Sequence, residues 1–357
     1  MTKKIAIIIK SLGVGGAEKQ SVLLAKSLSK KYQTLLIVQE KPKSSDSKHL
    51  EIVNRENIAY IQLKGNIINR ISQVVEIVRK HKIQIVFAFL AKDNLLAALV
   101  SFFVKIKVIG GVRNCTLPFL KKLSIRILHR HQFDYLLFNN HDGRKAFIAS
   151  GFSEKKSITI HNFIEVKSPP LKRANKKTLN ILTVARFSVN KDYSTAFKAI
   201  RYLIDNFQIE PEVKYQVVGW GKEEKQIIRM ISYLKLDHIV EIIKMPDDIG
   251  SYFKNADIYL CTSLIEGFSN SVMEALSYSL PVLATNVGDN AYMVHEGYNG
   301  HLFKIGDYPL IAEKLANLIN DFQLRNKMGK NGYKLLNTDF SIEKIESQYN
   351  HLIDLLN

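Results

Sequence analysis

The chain has 357 residues, a hydrophobic fraction of 46%, a charged fraction of 24% and a formal net charge of +18. One hydrophobic core seldom grows past roughly 250–300 residues, so two domains are expected, and the composition excludes a disordered or fibrous chain. Only Cys115 and Cys261 are present, neither in metal-ligand or redox spacing, which excludes a disulfide scaffold or zinc ribbon and points to a reducing cytoplasm.

Lys3 and Lys4 precede the apolar run Ile5–Ile9, which is too short for a secretory leader. The longest apolar stretch, Leu95–Val104, falls short of the roughly 20 helical residues that cross a bilayer. Residues 4–10 read as a strand, 17–30 as an amphipathic helix, 35–39 as a strand and 69–80 as a helix. Residues 83–89 are almost continuously apolar, as a buried parallel strand requires. A helix at 93–104 and strands at 107–110 and 135–139 continue the alternation, which predicts a doubly wound parallel sheet.

A polar, proline-bearing stretch from Glu165 to Thr178 reads as a linker. The alternation then restarts: strands at 179–185, 215–218, 239–243, 258–260 and 281–285 are interleaved with helices at 194–206, 222–234 and from about Val272. Helices near 310–321, 324–336 and 342–356 close the chain.

Residues 266–274 hold the densest chemistry. Glu266 and Glu274 flank Gly267, Phe268, Ser269, Asn270, Ser271 and Val272, at a strand–turn–helix junction. Such a junction aims backbone N–H groups and a positive helix end at one spot, which suits a phosphate. Glu274, expected about two turns into the helix, is placed to accept hydrogen bonds from ribose hydroxyls. The competing reading is a surface loop with two ordinary acids. Gly15 and Gly16 join the first strand to the first helix, where a bare backbone allows close approach of a ligand. A dinucleotide fingerprint would need glycine where Glu18 stands. Arg186 and Lys191 follow the strand at 179–185, at the carboxyl end where open α/β sheets bind ligands. Cations there could meet the charge that grows on a departing diphosphate, or simply be solvated.

Together these segments resemble the retaining GT-B glycosyltransferases often called GT4 or "glycosyl transferases group 1", over nearly the whole chain. Gly15-Gly16-Ala17-Glu18 is similar to the family's amino-terminal glycine motif, and Arg186 with Lys191 to its basic pair. Asp248-Ile249, Ala256-Asp257, Ser263 and Glu266…Glu274 resemble its signature region, followed by 281–285, Gly288 and 297–300. The resemblance implies an α/β chain of two Rossmann-like domains with a cleft between them. An acceptor-binding domain would span residues 1–168, a linker 169–178, and a nucleotide-sugar domain 179–340. The helix at 341–357 would pack back on the first domain. It also implies a UDP-sugar donor with no metal and no cofactor. Arg186, Lys191 and amides near 270–272 would hold the diphosphate, Glu274 the ribose, and Glu266 would lie by the sugar ring. Many relatives carry a histidine after the strand at 107–110. Arg113-Asn114 stands there in this chain, so an acceptor or phosphate contact is expected of them.

The charge is one-sided. Residues 1–170 hold 29 Lys/Arg against 11 Asp/Glu, and the remainder is balanced at 22 against 22. Such asymmetry implies an anionic partner for the first half. Residues 119–133 alternate apolar and basic positions at helical spacing, with Lys121, Lys122, Arg126 and Arg130 flanking the apolar face. This helix reads either as a membrane-surface element or as a core-packed helix with a basic edge. The expected partners are a nucleotide sugar, a polyprenyl-diphosphate-linked saccharide and an anionic membrane surface. The expected location is the cytoplasmic face of the cell membrane, with a surface polysaccharide as product. A diacylglycerol or protein acceptor is the alternative enzyme reading. A nucleic-acid binder is the alternative of another class, and it leaves the acidic pair unexplained.

Overall fold

The structure, a computed structural model, describes residues 2–13, 15–40, 47–113, 118–166, 170–171, 173–209 and 212–356. The chain divides into two units, one of residues 1–163 with 342–357, the other of residues 164–341. No helix among the described residues is long and apolar enough to cross a membrane.

The first unit is built on strands β1 (Lys4–Ile9), β2 (Gln33–Val38), β3 (Tyr60–Gln62), β4 (Ile85–Ala88), β5 (Lys107–Val112), β6 (Tyr135–Phe138) and β7 (Ser157–Thr159). They form a parallel sheet in the order β3-β2-β1-β4-β5-β6-β7. The central strands are apolar on both faces because helices cover both; all of β4 is buried. Helices α1 (Gly16–Ser29), α2 (Ser47–Arg55), α3 (Ile67–His81), α4 (Ala91–Val100), α5 (Phe119–His131) and α6 (His141–Ile148) connect them. One core joins the sheet to α1 and to the last helix of the chain, through Leu24, Ile7, Phe87, Tyr349 and Ile353. The other face is packed by α3 to α6, through Val78, Leu96, Ile125 and Phe147.

The second unit repeats the plan with β8 (Thr178–Val184), β9 (Glu212–Gly219), β10 (Val240–Lys244), β11 (Ile258–Cys261), β12 (Val282–Thr285) and β13 (Gly300–Phe303). Their order is β10-β9-β8-β11-β12-β13, again parallel. Its helices are α7 (Tyr193–Asn206), α8 (Glu224–Tyr233), α9 (Ile249–Asn255), α10 (Asn270–Ser277), α11 (Asn290–Met293), α12 (Tyr308–Asn320) and α13 (Phe322–Asp339). The final helix, α14 (Ile342–Asp354), belongs to the first unit. In the second sheet the strand order reverses between β8 and β11. Connections leave those neighbours in opposite directions, which opens a crevice at their carboxyl ends.

The stretch read as a linker includes two anchors in the second unit. Arg173 donates to the Tyr278 carbonyl at 2.7 Å, and also to Ala256, which closes the ends of α9 and α10. Lys176 meets the buried Asp257 at 3.0 Å, and Asp257 in turn accepts from the Asn180 amide at 2.9 Å. The aspartate of the signature region thus fixes the start of the sheet, at the edge away from the crevice.

Candidate active site at the β8–β11 switch point

The residues after β8 and after β11 meet because their strands are neighbours at the reversal. Phe187 is buried in the core and its amide donates to the Trp220 carbonyl at 2.7 Å. Alternation then leaves Arg186 exposed at the carboxyl end of β8. Tyr193 locks this turn from below, its hydroxyl donating to the Ala185 carbonyl at 3.1 Å.

Lys191 ends a single 3₁₀ turn, Val189–Lys191, stopped by Asp192 in a left-handed conformation (φ 43°). Asp192 also caps α7, accepting from the Thr195 amide at 3.3 Å. The turn is stitched to the segment after β11: the Leu264 amide donates to the Asn190 carbonyl at 2.8 Å, and the Thr262 hydroxyl to Asp192 at 2.9 Å. The result is an ion pair between Lys191 Nζ and Glu266 Oε1 at 2.5 Å, with side chains only 18% and 11% exposed. The same carboxylate oxygen accepts from the buried Ser263 hydroxyl at 2.7 Å. Lys191 and Ser263, both on this oxygen, orient the Glu266 carboxylate.

Beneath the pair, Cys261 is buried with its sulfur 4.0 Å from Glu266 Oε1. Burial, and next the adjacent Glu266 charge, raise its thiol pKa, so it is a neutral packing group. Tyr259, also raised by burial, bonds Val184 and Ser271 and so ties β8 to the start of α10.

The loop bearing Glu266 and Gly267 is clamped from the β12 side. The Asp289 amide donates to the Gly267 carbonyl at 2.9 Å. Gly288 has φ +55°, and a Cβ there would lie 2.6 Å from the same carbonyl, so backbone fills the space a side chain would need. Helix α10 then starts at Asn270 after the buried Ser269, and its first intrahelical bond is Met273 to Ser269 at 3.1 Å. The amides of residues 270–272 precede that bond and lack an intrahelical acceptor. Glu274 is the fifth residue of α10, one turn in rather than two.

The second unit therefore brings together Arg186, Lys191, Glu266, Gly267 and the start of α10. The side chains of Phe268 and Val272 are turned into the core, where Phe268 packs on Phe340 at 5.2 Å, so only their backbone is available to a ligand. Lys244, at the end of β10, pairs with Glu224 at 2.6 Å.

In the first unit, Gly15 and Gly16 start α1, and the Glu18 carboxylate folds over Gly15, where an added Cβ would lie 2.9 Å from its Cδ. An acid of the chain itself thus occupies that helix end. Arg113 is engaged within its own unit: it lies 4.3 Å over the Phe89 ring, donates to Asn162 at 3.1 Å and bonds Tyr349. Asn114 lies outside the described residues.

Helix α5 buries Ile125 and His129 and turns the opposite face outward, with Phe119 and Leu120 each 77% exposed and Leu123 and Ile127 also exposed. Burial lowers the His129 pKa to about 4, so it packs as a neutral ring against Phe152. Lys121 and Arg130 are exposed. Lys122 instead bonds Ser150 at 2.5 Å, and Arg126 covers Gly151, so these two basic groups clasp the end of α6.

Sequence reasoning gave Ser263 no role, although its position three residues before Glu266 was a signal. It also passed over His49, whose Nδ1 donates to the Gly13 carbonyl of the glycine loop at 2.9 Å.

Residues 167–335 match the family described as "Glycosyl transferases group 1". The chain is 27% identical to the capsular polysaccharide biosynthesis glycosyltransferase CapM of Staphylococcus aureus, over 86% of this chain and 88% of that protein. It is 23% identical to the N-acetylgalactosamine-N,N'-diacetylbacillosaminyl-diphospho-undecaprenol 4-alpha-N-acetylgalactosaminyltransferase of Campylobacter jejuni, over 96% of this chain and 97% of that protein. Among solved structures it is similar to Anabaena HepE in complex with UDP-glucose, with a TM-score of 0.84 at 18% identity, over 98% of this chain and 99% of that one. The two parallel-sheet units have the GT-B architecture, and the chain belongs to the glycosyl transferases group 1.

Proposed function

We propose that the chain transfers a hexose or N-acetylhexosamine from a UDP-sugar to a polyprenyl-diphosphate-linked oligosaccharide, with retention at the anomeric carbon and without a metal ion. The observation that carries this reading is the Lys191–Glu266–Ser263 group at the switch point, on the loop that leads into α10. A UDP-sugar presents a diphosphate, a ribose and a sugar ring. Arg186, Lys191 and the amides of residues 270–272 would bind the diphosphate and neutralise the charge that grows as the glycosidic bond breaks. These cations take the role a divalent ion plays elsewhere, which is why none is invoked.

Lys191 already holds Glu266, so phosphate binding would share the ammonium between two anions. Glu266 would then face the anomeric end of the donor, where its fixed charge steadies an oxocarbenium-like transition state. Front-face attack by the acceptor, assisted by the departing phosphate, accounts for retention. Glu274 would accept hydrogen bonds from the ribose. The acceptor class is supported by the Campylobacter relative, whose name specifies a diphospho-undecaprenol substrate, and the polysaccharide setting by CapM. A membrane-surface location, on the cytoplasmic side, is supported by the apolar outer face of α5 and the basic excess of the first half.

A panel of nucleotide sugars tests the reading, by UDP release and thermal stabilisation. One UDP-sugar should be hydrolysed slowly, with turnover rising on addition of a polyprenyl-diphosphate saccharide and unchanged by EDTA. Absence of any stabilisation by UDP would overturn the donor assignment; stimulation by a diacylglycerol acceptor alone would overturn the acceptor class.

A further inference from the structure

Helix α5 holds only part of the basic excess. In a parallel sheet every strand starts on the same edge, and in the first unit the approaches to β4, β5 and β7 carry Lys80 in the last turn of α3 and Lys82 after it, Lys105 and the first β5 residue Lys107, and Lys155 and Lys156. Because β4, β5, β6 and β7 are consecutive neighbours, these cations form a row along the edge opposite the strand carboxyl ends. Lys107 is paired with Asp134 at 3.0 Å, and Lys156 donates to the Phe133 carbonyl at 3.0 Å. The other four are exposed.

In the middle of this row, on the turn between α4 and β5, Phe102 and Phe103 are 65% and 61% exposed. Arg79 fixes that turn to the end of α3 by donating to the Phe103 carbonyl at 3.3 Å. A cavity of about 540 Å³ opens beside it, lined by Lys105, Lys107, Lys155 and Lys156, by Asp134, whose charge Lys107 offsets, and by His131 at the end of α5. That volume lies within the range of ligand-sized sites.

We propose that this strand-start edge docks on an anionic phospholipid leaflet, with Phe102 and Phe103 entering the acyl boundary and a lipid phosphate seated in the lysine-lined cavity. The proposal rests on the reading of the chain as a membrane-surface enzyme and adds the surface that makes the contact. Two adjacent phenyl rings left in water are unfavourable unless something covers them. Lysine stems can lie along that apolar layer while their ammonium groups meet phosphate. Helix α5 ends at the same cavity, which His131 helps to line.

The test sediments the full chain with vesicles of phosphatidylglycerol and phosphatidylcholine, and with phosphatidylcholine alone, at increasing salt. The protein should bind the anionic vesicles only. Phe102→Ser with Phe103→Ser, and separately Lys105→Glu with Lys155→Glu, should weaken that binding roughly tenfold or more. Both variants should keep the parent's melting temperature and its stabilisation by UDP. If both bind like the parent while Leu120→Ser with Ile127→Ser in α5 releases the protein, the membrane reading stands and this surface is wrong. If the parent ignores anionic vesicles, both fall, while UDP stabilisation reports the donor reading separately.

Discussion

The charged groups of the second unit that matter gather at the carboxyl ends of β8 and β11, where Lys191, Glu266 and Ser263 hold one another. In the first unit the same kind of sheet has its cations at the amino ends of β4, β5 and β7, and its glycine-loop helix end is occupied by the chain's own Glu18. The second unit's balanced charge is spatially ordered, and the first unit's large excess is mostly solvated. Net charge therefore says little about where the chemistry is. Both sheets reverse their strand order, between β1 and β4 and between β8 and β11, but only at the second does a described ion pair, Lys191–Glu266, join the two loops that meet there.

The largest effect that tests this contrast is loss of the cationic pair. Arg186→Ala with Lys191→Ala should lower turnover by roughly 10³-fold or more, because charge on the departing diphosphate would be left unmatched. Circular dichroism should show an intact fold. A double variant that retains substantial turnover would mean the diphosphate binds elsewhere.

Glu274→Ala should come next, weakening UDP by roughly 10- to 100-fold, the scale of hydrogen bonds to a charged group. Titration calorimetry with UDP and with inorganic diphosphate separates the roles, since only UDP carries the ribose. Equal losses for both ligands would move Glu274 from ribose to phosphate.

Ser263→Ala asks for less, roughly tenfold in kcat, because Glu266 loses its hydroxyl donor to Oε1 while Lys191 remains. KM for the donor should barely change. A KM effect alone would make Ser263 a binding group rather than one that positions Glu266.

Most of the fold was legible because buried parallel strands are written as apolar runs, as at Ile85–Ala88 and Ile258–Cys261. The short edge strands were not: Tyr60–Gln62 and Ser157–Thr159 are partly polar and have strand neighbours on one side only. Of the candidate site, the residue types were legible, and the structure joins Lys191 to Glu266 while Arg186 lies at the carboxyl end of β8. Its internal wiring was not, since the Lys191–Glu266 pair spans 75 positions and no local period reports it. The surroundings of Arg113 were hidden for a related reason. Phe89, Asn162 and Tyr349 come from three separate segments to engage the side chain, and no local pattern reports those contacts.

The smallest expected effect concerns the first unit's own buried acid. Asp93, fully buried at the start of α4, accepts from the Leu90 amide at 2.8 Å and from Gln39 at 2.6 Å. Burial, reinforced by the Glu18 charge, pushes its carboxyl up to about 8, against the stabilising effect of those two donors. An unfolded aspartate titrates near 4. Between those values the folded unit holds a proton that the unfolded chain has released, so stability is greatest below about 4 and falls as pH rises through about 8. Asp93→Asn cannot ionise and removes that fall. It also has one fewer acceptor for Leu90 and Gln39, which lowers its baseline at every pH, so the informative quantity is the slope. Melting temperatures at pH 5 and pH 8 should drop less for the variant than for the parent. Equal drops would place the proton on another group and leave Asp93 as a charged cap of α4.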